Sequence, residues 1–422
     1  MSLDFDNGSA TAKTRLLGFN YFRGDVQKAF LDPLQPKFWR TTVYGEASAQ
    51  ALFQSYGPST TYVISEAYVQ THGGQGQAKP YANWPDYEAF VANLMGSVKA
   101  SGIDVAYWDV WNEPEGNWPG TPAQFLELVA RTVAVVRKTN PQAKVVATSQ
   151  ASVDTTGFAN LLTALGQLAD SGTHLDALSW HALDDVERIP TLANQARAFF
   201  VDHPNMCNPA CPQLHVNEFS PGQNDHLPGW ALAWLVALDR GHIDWAAKSC
   251  WQIPSLPPNL QSGCGFGLEG LFVVDDTGAD AKQTRPRPTY WLYRAYAQLT
   301  TRAVIDVTEP GWVALGGAQS DGTISVLVGR HSCGAKNRWC TFADHNVEDD
   351  GLPAAKAVLT VHAVPWGNAQ VTVSRLAHTM PETALLAPEI ISKQVVTTSE
   401  GVATIPIDSV EDGEAMIIQL GP

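Results

Sequence analysis

A chain of 422 residues can bury a large core and exceeds what one barrel or one sandwich needs, so two domains are expected. With 27 Lys+Arg against 42 Asp+Glu the net charge is −15, which repels phosphate backbones and anionic lipid surfaces and argues against nucleic acid as a partner. No run of about 18 or more apolar residues is present, so no membrane span is expected.

After a polar leader, Arg15 to Tyr21 reads as a first strand, followed by a short helical segment around Val26 to Phe30. Lys37 to Val43 reads as a second strand and Thr61 to Tyr68 as a third. Between Asp86 and Ser101, Phe90, Val91, Leu94, Met95 and Val98 recur at helical spacing, and Gly102 supplies the stop. Val105 to Trp111 is the fourth strand. Thr121-Pro122-Ala123-Gln124 then opens a helix with a hydroxyl cap, Pro at the first helical position and Gln at the third. Lys144 to Thr148 is a fifth strand, and Leu161, Leu162, Leu165 and Leu168 mark the helix after it. Leu175 to His181, Gln213 to Phe219 and Trp245 to Trp251 give the sixth, seventh and eighth strands, with helix over Thr191 to Phe200.

Eight strands alternating with helical segments are the count for a closed parallel (β/α)8 TIM barrel, placed over 14–300, with Pro288 to Leu299 as its closing helix. Beyond it the pattern changes. Thr323 to Val328, Ala357 to Val361, Gln370 to Val373 and Ala415 to Leu420 are strand-like runs between Gly, Pro and Asp turns, so 301–422 reads as a C-terminal all-β sandwich. The fold class is therefore α/β with an all-β second domain.

The barrel directs attention to the C-terminal ends of its strands, where loops present side chains to a substrate. Glu113 ends the fourth strand in Asp109-Val110-Trp111-Asn112-Glu113-Pro114, and Glu218 ends the seventh in His215-Val216-Asn217-Glu218-Phe219. Two such carboxylates suit acid/base and nucleophile work on a glycosidic bond. The 14 Trp, 11 Tyr and 15 Phe are mostly core residues in any protein, yet their flat faces also suit sugar rings.

Trp111-Asn112-Glu113-Pro114 together with Asn217-Glu218-Phe219 resembles the catalytic pair of clan A retaining glycoside hydrolases. With Trp180-His181 after strand six and the trailing sandwich, the chain most resembles glycoside hydrolase family 39. The resemblance implies that Glu113 is the general acid/base and Glu218 the nucleophile, about 5–5.5 Å apart in a retaining enzyme. It implies that Asn112 meets the sugar 2-hydroxyl, that Arg40 holds the nucleophile ionised and aimed, that His181 lines the sugar site and that Trp251 forms an aromatic floor. Glu66, a further carboxylate after the third strand, either binds substrate hydroxyls or pairs with Arg40. Two departures stand out. Where many clan members carry a tyrosine against the nucleophile, His181 is followed by Ala182 and Leu183, and Glu218 by Phe219. The first strand ends Gly18-Phe19-Asn20-Tyr21, without the histidine of family 39 xylosidases.

Six cysteines allow fifteen pairings, and proximity favours Cys207 with Cys211, Cys250 with Cys264 and Cys333 with Cys340. Disulfides would place the protein in an oxidising compartment, periplasmic or extracellular, with its signal peptide absent from this chain; reduced cysteines in a cytosolic enzyme are the alternative. The spacings do not fit a zinc site, and the scattered histidines give no metal-ligand pair. His72-Gly73-Gly74-Gln75-Gly76 lacks the Lys-Ser/Thr of a phosphate loop. The expected reaction needs no cofactor, and its partner is a carbohydrate. A binding barrel without turnover, or a transglycosylase, are the other readings.

Overall fold

The computed structural model describes residues 1–3, 16–20, 28–42, 59–74, 76–151, 153–183, 185–249, 270–273, 285–305, 307, 310–332, 352–379 and 383–422. After a two-residue strand β1 (Ser2–Leu3), eight strands close a barrel in chain order. They are β2 (Leu16–Asn20), β3 (Phe38–Thr41), β4 (Ser59–Val63), β5 (Val105–Asp109), β6 (Val145–Gln150), β7 (Ala177–Ala182), β8 (Gln213–Phe219) and β9 (Trp245–Lys248). Every pairing is parallel, and β9 returns to β2 with Trp245 opposite Leu16. Every residue of β3, β7 and β9 is buried, as a parallel sheet filled inside and covered by helices outside requires.

The connecting helices are α1 (Lys28–Leu31), α2 (Ile64–Thr71), α3 (Trp84–Ala100), α4 (Pro114–Asn117), α5 (Pro122–Thr139), α6 (Thr155–Asp170), α7 (Arg188–Asp202), α8 (Pro228–Arg240) and α9 (Pro288–Ala297). The expected cap of α5 forms: Gln124 N donates to Thr121 Oγ1 at 3.2 Å, and Thr121 N to Gln124 Oε1 at 2.8 Å. One expected strand is corrected. Thr61 to Tyr68 is not extended throughout, because β4 stops at Val63 and α2 begins at Ile64. Past the barrel rim no strand among the described residues lies beside it to pair with, and Ile64, Ala67 and Tyr68 instead bury one helical face.

The barrel has a sealed floor. Phe38, Tyr107, His215 and Trp245 interlock at the N-terminal ends of the strands, with the Tyr107 and His215 ring centroids 4.7 Å apart. Burial and the nearby Lys144 charge push His215 down to about 3, so this floor stays neutral. Chemistry is left to the opposite rim.

Helix α8 buries every residue except Arg240. It has no polar face because both sides are covered, one by the barrel and the other by the second domain. Gly229 permits that approach: a Cβ there would lie 2.0 Å from the Arg330 carbonyl oxygen. The second domain pairs a six-stranded antiparallel sheet with a smaller one. The first runs β12 (Ala303–Ile305), β13 (Trp312–Ala318), β14 (Ile324–Arg330), β19 (Ala415–Gly421), β16 (Asn368–Leu376) and β17 (Glu389–Thr397). The second orders β1, β15 (Ala355–Val361) and β18 (Ala403–Val410), so the N-terminus joins this domain. Val326, Val328, Leu359, Ile405 and Ile418 fill the space between them. A short pair, β10 (Phe272–Val273) and β11 (Arg285–Pro286), precedes α9. Among the described residues no helix is long and apolar enough to cross a membrane.

Candidate active site

Glu113 stands just past β5 in the left-handed region, with φ 50° and ψ 60°. For a residue with a Cβ this conformation costs about 1–2 kcal/mol. It is held from both sides. Its N–H donates to the Ser149 carbonyl at 2.9 Å, and its carbonyl accepts from Asn117 N at 2.9 Å as α4 starts. The turn leaves the carboxylate half-buried at the mouth, where its Oε1 lies 3.3 Å from His181 Nδ1.

Glu218 reaches the same mouth through a bulge. The β7–β8 register places Trp180 opposite Val216 but His181 opposite Glu218, so Asn217 is the extra residue. Strict alternation would turn one of Asn217 and Glu218 outward; the bulge lets both point inward. A similar register shift around Ser149 turns its hydroxyl inward too.

Arg40, at the inner end of β3, connects these groups. Nη1 donates to Glu218 Oε1 at 2.7 Å, Nε to Asp109 Oδ2 at 2.9 Å, and Nη2 to Asn112 Oδ1 at 2.6 Å. Arg40 and Asp109 are wholly buried, and Asp109 also accepts from Ser149 and Asn217. Such a planar fork, with several donors in fixed directions, is something Lys cannot reproduce. Because guanidinium only donates, Asn112 must turn its oxygen to Arg40, which leaves its NH2 to donate elsewhere. Burial pushes the Glu218 carboxyl up, but the charges of His181 and Arg40 and hydrogen bonds from Asn20 and Arg40 outweigh it. They hold Glu218 below the ordinary glutamate value.

One oxygen of Glu113, one of Glu218 and a ring nitrogen of His181 lie within 4.8 Å of one another. These three donors could span a divalent cation, yet the Arg40 guanidinium on Glu218 opposes a second positive charge there.

Glu113, Glu218, Arg40, Asn112 and His181 thus converge at one mouth. Glu66 sits in the first turn of α2, where it accepts from Thr42 Oγ1 at 2.9 Å; the described partners of Arg40 are Asn20, Asp109, Asn112 and Glu218. Trp251, Cys250, Cys264, Cys333 and Cys340 lie outside the described residues, whereas Cys207 and Cys211 form a disulfide. Sequence reasoning missed Asp109, Ser149, Asn217, Asn20 and Ser249. Asp109 had a signal: a carboxylate that ends an apolar strand inside a barrel needs a cation, and Arg40 is the cation ending β3.

No protein-family model and no curated protein matches the chain. Solved structures do. A structure of N2152 from Neocallimastix frontalis aligns with a TM-score of 0.71 at 14% identity, over 99% of this chain and 98% of that one. A monomeric β-xylosidase from Caulobacter crescentus gives 0.69 at 14% identity over 100% and 99%. A family 39 glycoside hydrolase enzyme from Xanthomonas axonopodis pv. citri gives 0.68 at 14% identity over 100% and 97%. The chain shares the fold of these structures. Barrel and sandwich both align, since the matches run the full length of the chain.

Proposed function

We propose that the protein is a retaining glycoside hydrolase that cleaves O-glycosidic bonds of an oligo- or polysaccharide through a glycosyl ester on Glu218. The observation that carries this reading is the unequal treatment of two neighbouring carboxylates. Glu218 is buried against Arg40 and held ionised, while Glu113 is reached from the mouth and faces His181. In the first step Glu218 attacks the anomeric carbon and Glu113 gives its proton to the leaving oxygen. In the second, Glu113 takes a proton from water, which attacks the same carbon and releases Glu218. Asn112, its amide polarised by Arg40, donates to the sugar 2-hydroxyl oxygen as positive charge grows next to it.

The approach of the two carboxylates, with oxygens within 4.8 Å, supports retention, because an inverting pair stands about 6.5–9.5 Å apart to admit water. The neighbouring structures named as xylosidase, glucosidase and xylanase support a carbohydrate substrate. The Cys207–Cys211 disulfide supports an exported protein. The reading is tested by proton NMR of a glycoside as it is cleaved. The first product to appear should carry the anomeric configuration of the substrate and mutarotate only later. First appearance of the opposite anomer would rule out the ester pathway.

A further inference from the structure

Glu218 has two carboxylate oxygens, and the mechanism above accounts for the partner of only one. Oε1 faces Arg40. Oε2 lies 3.3 Å from Ser249 Oγ, at the end of β9. Ser249 in turn lies 3.5 Å from Asn20 Nδ2, and Asn20 Oδ1 lies 3.4 Å from Arg40 Nη1. All four residues are buried.

The direction of this chain is fixed by donor chemistry. Arg40 has no acceptor, so Asn20 must present its carbonyl oxygen to it and its NH2, which also reaches Glu218, to Ser249. Ser249 Oγ, accepting from that NH2, has one proton left to place, and Glu218 Oε2 is the acceptor in front of it. The backbone of Ser249 is equally constrained. Its N–H donates to the Phe219 carbonyl at 2.9 Å, and its own carbonyl accepts from Lys248 Nζ at 2.8 Å. Lys248 is pinned by Asp225, at 2.7 and 2.9 Å, in a pair that is fully buried.

We infer that Ser249 is a positioning residue whose hydroxyl, oriented by the relay from Arg40 through Asn20, holds Glu218 Oε2 and stabilises that carboxylate whenever it is ionised. Arg40 thereby governs both oxygens of the nucleophile, one directly and one through two neutral side chains. The inference rests on Glu218 being the nucleophile. Its consequence is asymmetric. When the ester forms, Glu218 loses its charge and Ser249 loses a charged acceptor, so the hydroxyl restrains attack. When the ester is hydrolysed the carboxylate leaves, and the same hydrogen bond speeds its departure. Ser249 therefore favours turnover of the intermediate over its accumulation.

The test is made on the full chain with a 2,4-dinitrophenyl glycoside that the wild type hydrolyses. The charged and titratable groups facing Glu218 are Arg40 from β3, His181 from β7 and Glu113 beyond β5, and all three, with Asn20 of β2, stay in place in Ser249→Ala. In that variant the acid limb of kcat/KM should move up by about one pH unit, the size of one lost hydrogen bond to a charge. On the pH plateau kcat should fall by about 10-fold and KM by more, so that kcat/KM rises, with a larger burst of dinitrophenol. Ser249→Thr, which keeps the hydroxyl, should restore the wild-type limb. If the alanine variant does not fold, Ser249→Cys, a weak donor of similar size, is measured in its place and its limb should also rise. An acid limb at the wild-type position in the Ala or Cys variant would overturn the inference while leaving Glu218 as nucleophile. Failure of a fluorosugar inactivator to label Glu218 in the wild type would remove both.

Discussion

Glu218→Ala should lower kcat by about 10⁴-fold or more on every glycoside, because among the described residues no other carboxylate at the mouth is held against Arg40. Asp109 is the only other carboxylate on Arg40 among the described residues, and it lies behind the guanidinium, bound to Ser149 and Asn217. His181 faces both Glu113 and Glu218 and is placed to stabilise charge. The variant should still fold. Breaking a buried ion pair by removing one partner ordinarily costs about 3–5 kcal/mol, because the other charge is stranded. Here Arg40 keeps Asp109 at 2.9 Å and Asn112 at 2.6 Å, so its charge stays compensated. Circular dichroism should match the wild type, and steady-state assays should show the loss. Wild-type rates in a pure, folded variant would remove Glu218 as nucleophile.

Glu113→Ala should separate the two steps. A glycoside with a poor leaving group needs a proton on the departing oxygen, so its hydrolysis should slow by about 10²–10⁴-fold. A dinitrophenyl glycoside leaves without that proton, so the ester should form at nearly the wild-type rate and then wait, since no base activates water. Burst kinetics and a low KM are the expected signature. Azide is an anion that needs no deprotonation, and the space vacated beside His181 Nδ1 admits it. Added azide should restore turnover and yield a glycosyl azide of retained configuration. If azide leaves the rate unchanged and no glycosyl azide forms, Glu113 is not the acid/base.

The barrel is legible in the chain because eight short apolar runs are interleaved with helical spacings, and the candidate catalytic pair because each carboxylate ends such a run. What escaped follows from the limits of periodicity. Helix α8 shows no amphipathic pattern because it is buried on both faces, so no polar stripe marks it. Ile64 to Thr71 continues the β-branched and aromatic texture of β4, and only the barrel rim decides that it coils. The sandwich was read from four runs, while β12, β13, β17 and β18 were passed over; in β17 the side chains are half-buried to exposed. In the site, Asn217 and Ser149 point inward through irregularities in strand register, against the alternation a strand normally shows. Asn20 and Ser249 are small polar residues whose importance lies wholly in what stands beside them. Arg40 was legible as the cation beside Glu218, but its hold on Asp109 and Asn112 is a property of the closed barrel, which brings β3 and β5 to one point.

The most direct measurement is covalent trapping. Wild-type protein, incubated with a 2-deoxy-2-fluoro glycoside bearing an activated leaving group, is digested and its peptides sequenced by mass spectrometry. A single glycosyl adduct on Glu218, absent from Glu218→Ala, is the expected result. An adduct on another carboxylate, or retaining turnover of the same glycone without any adduct, would contradict the assignment.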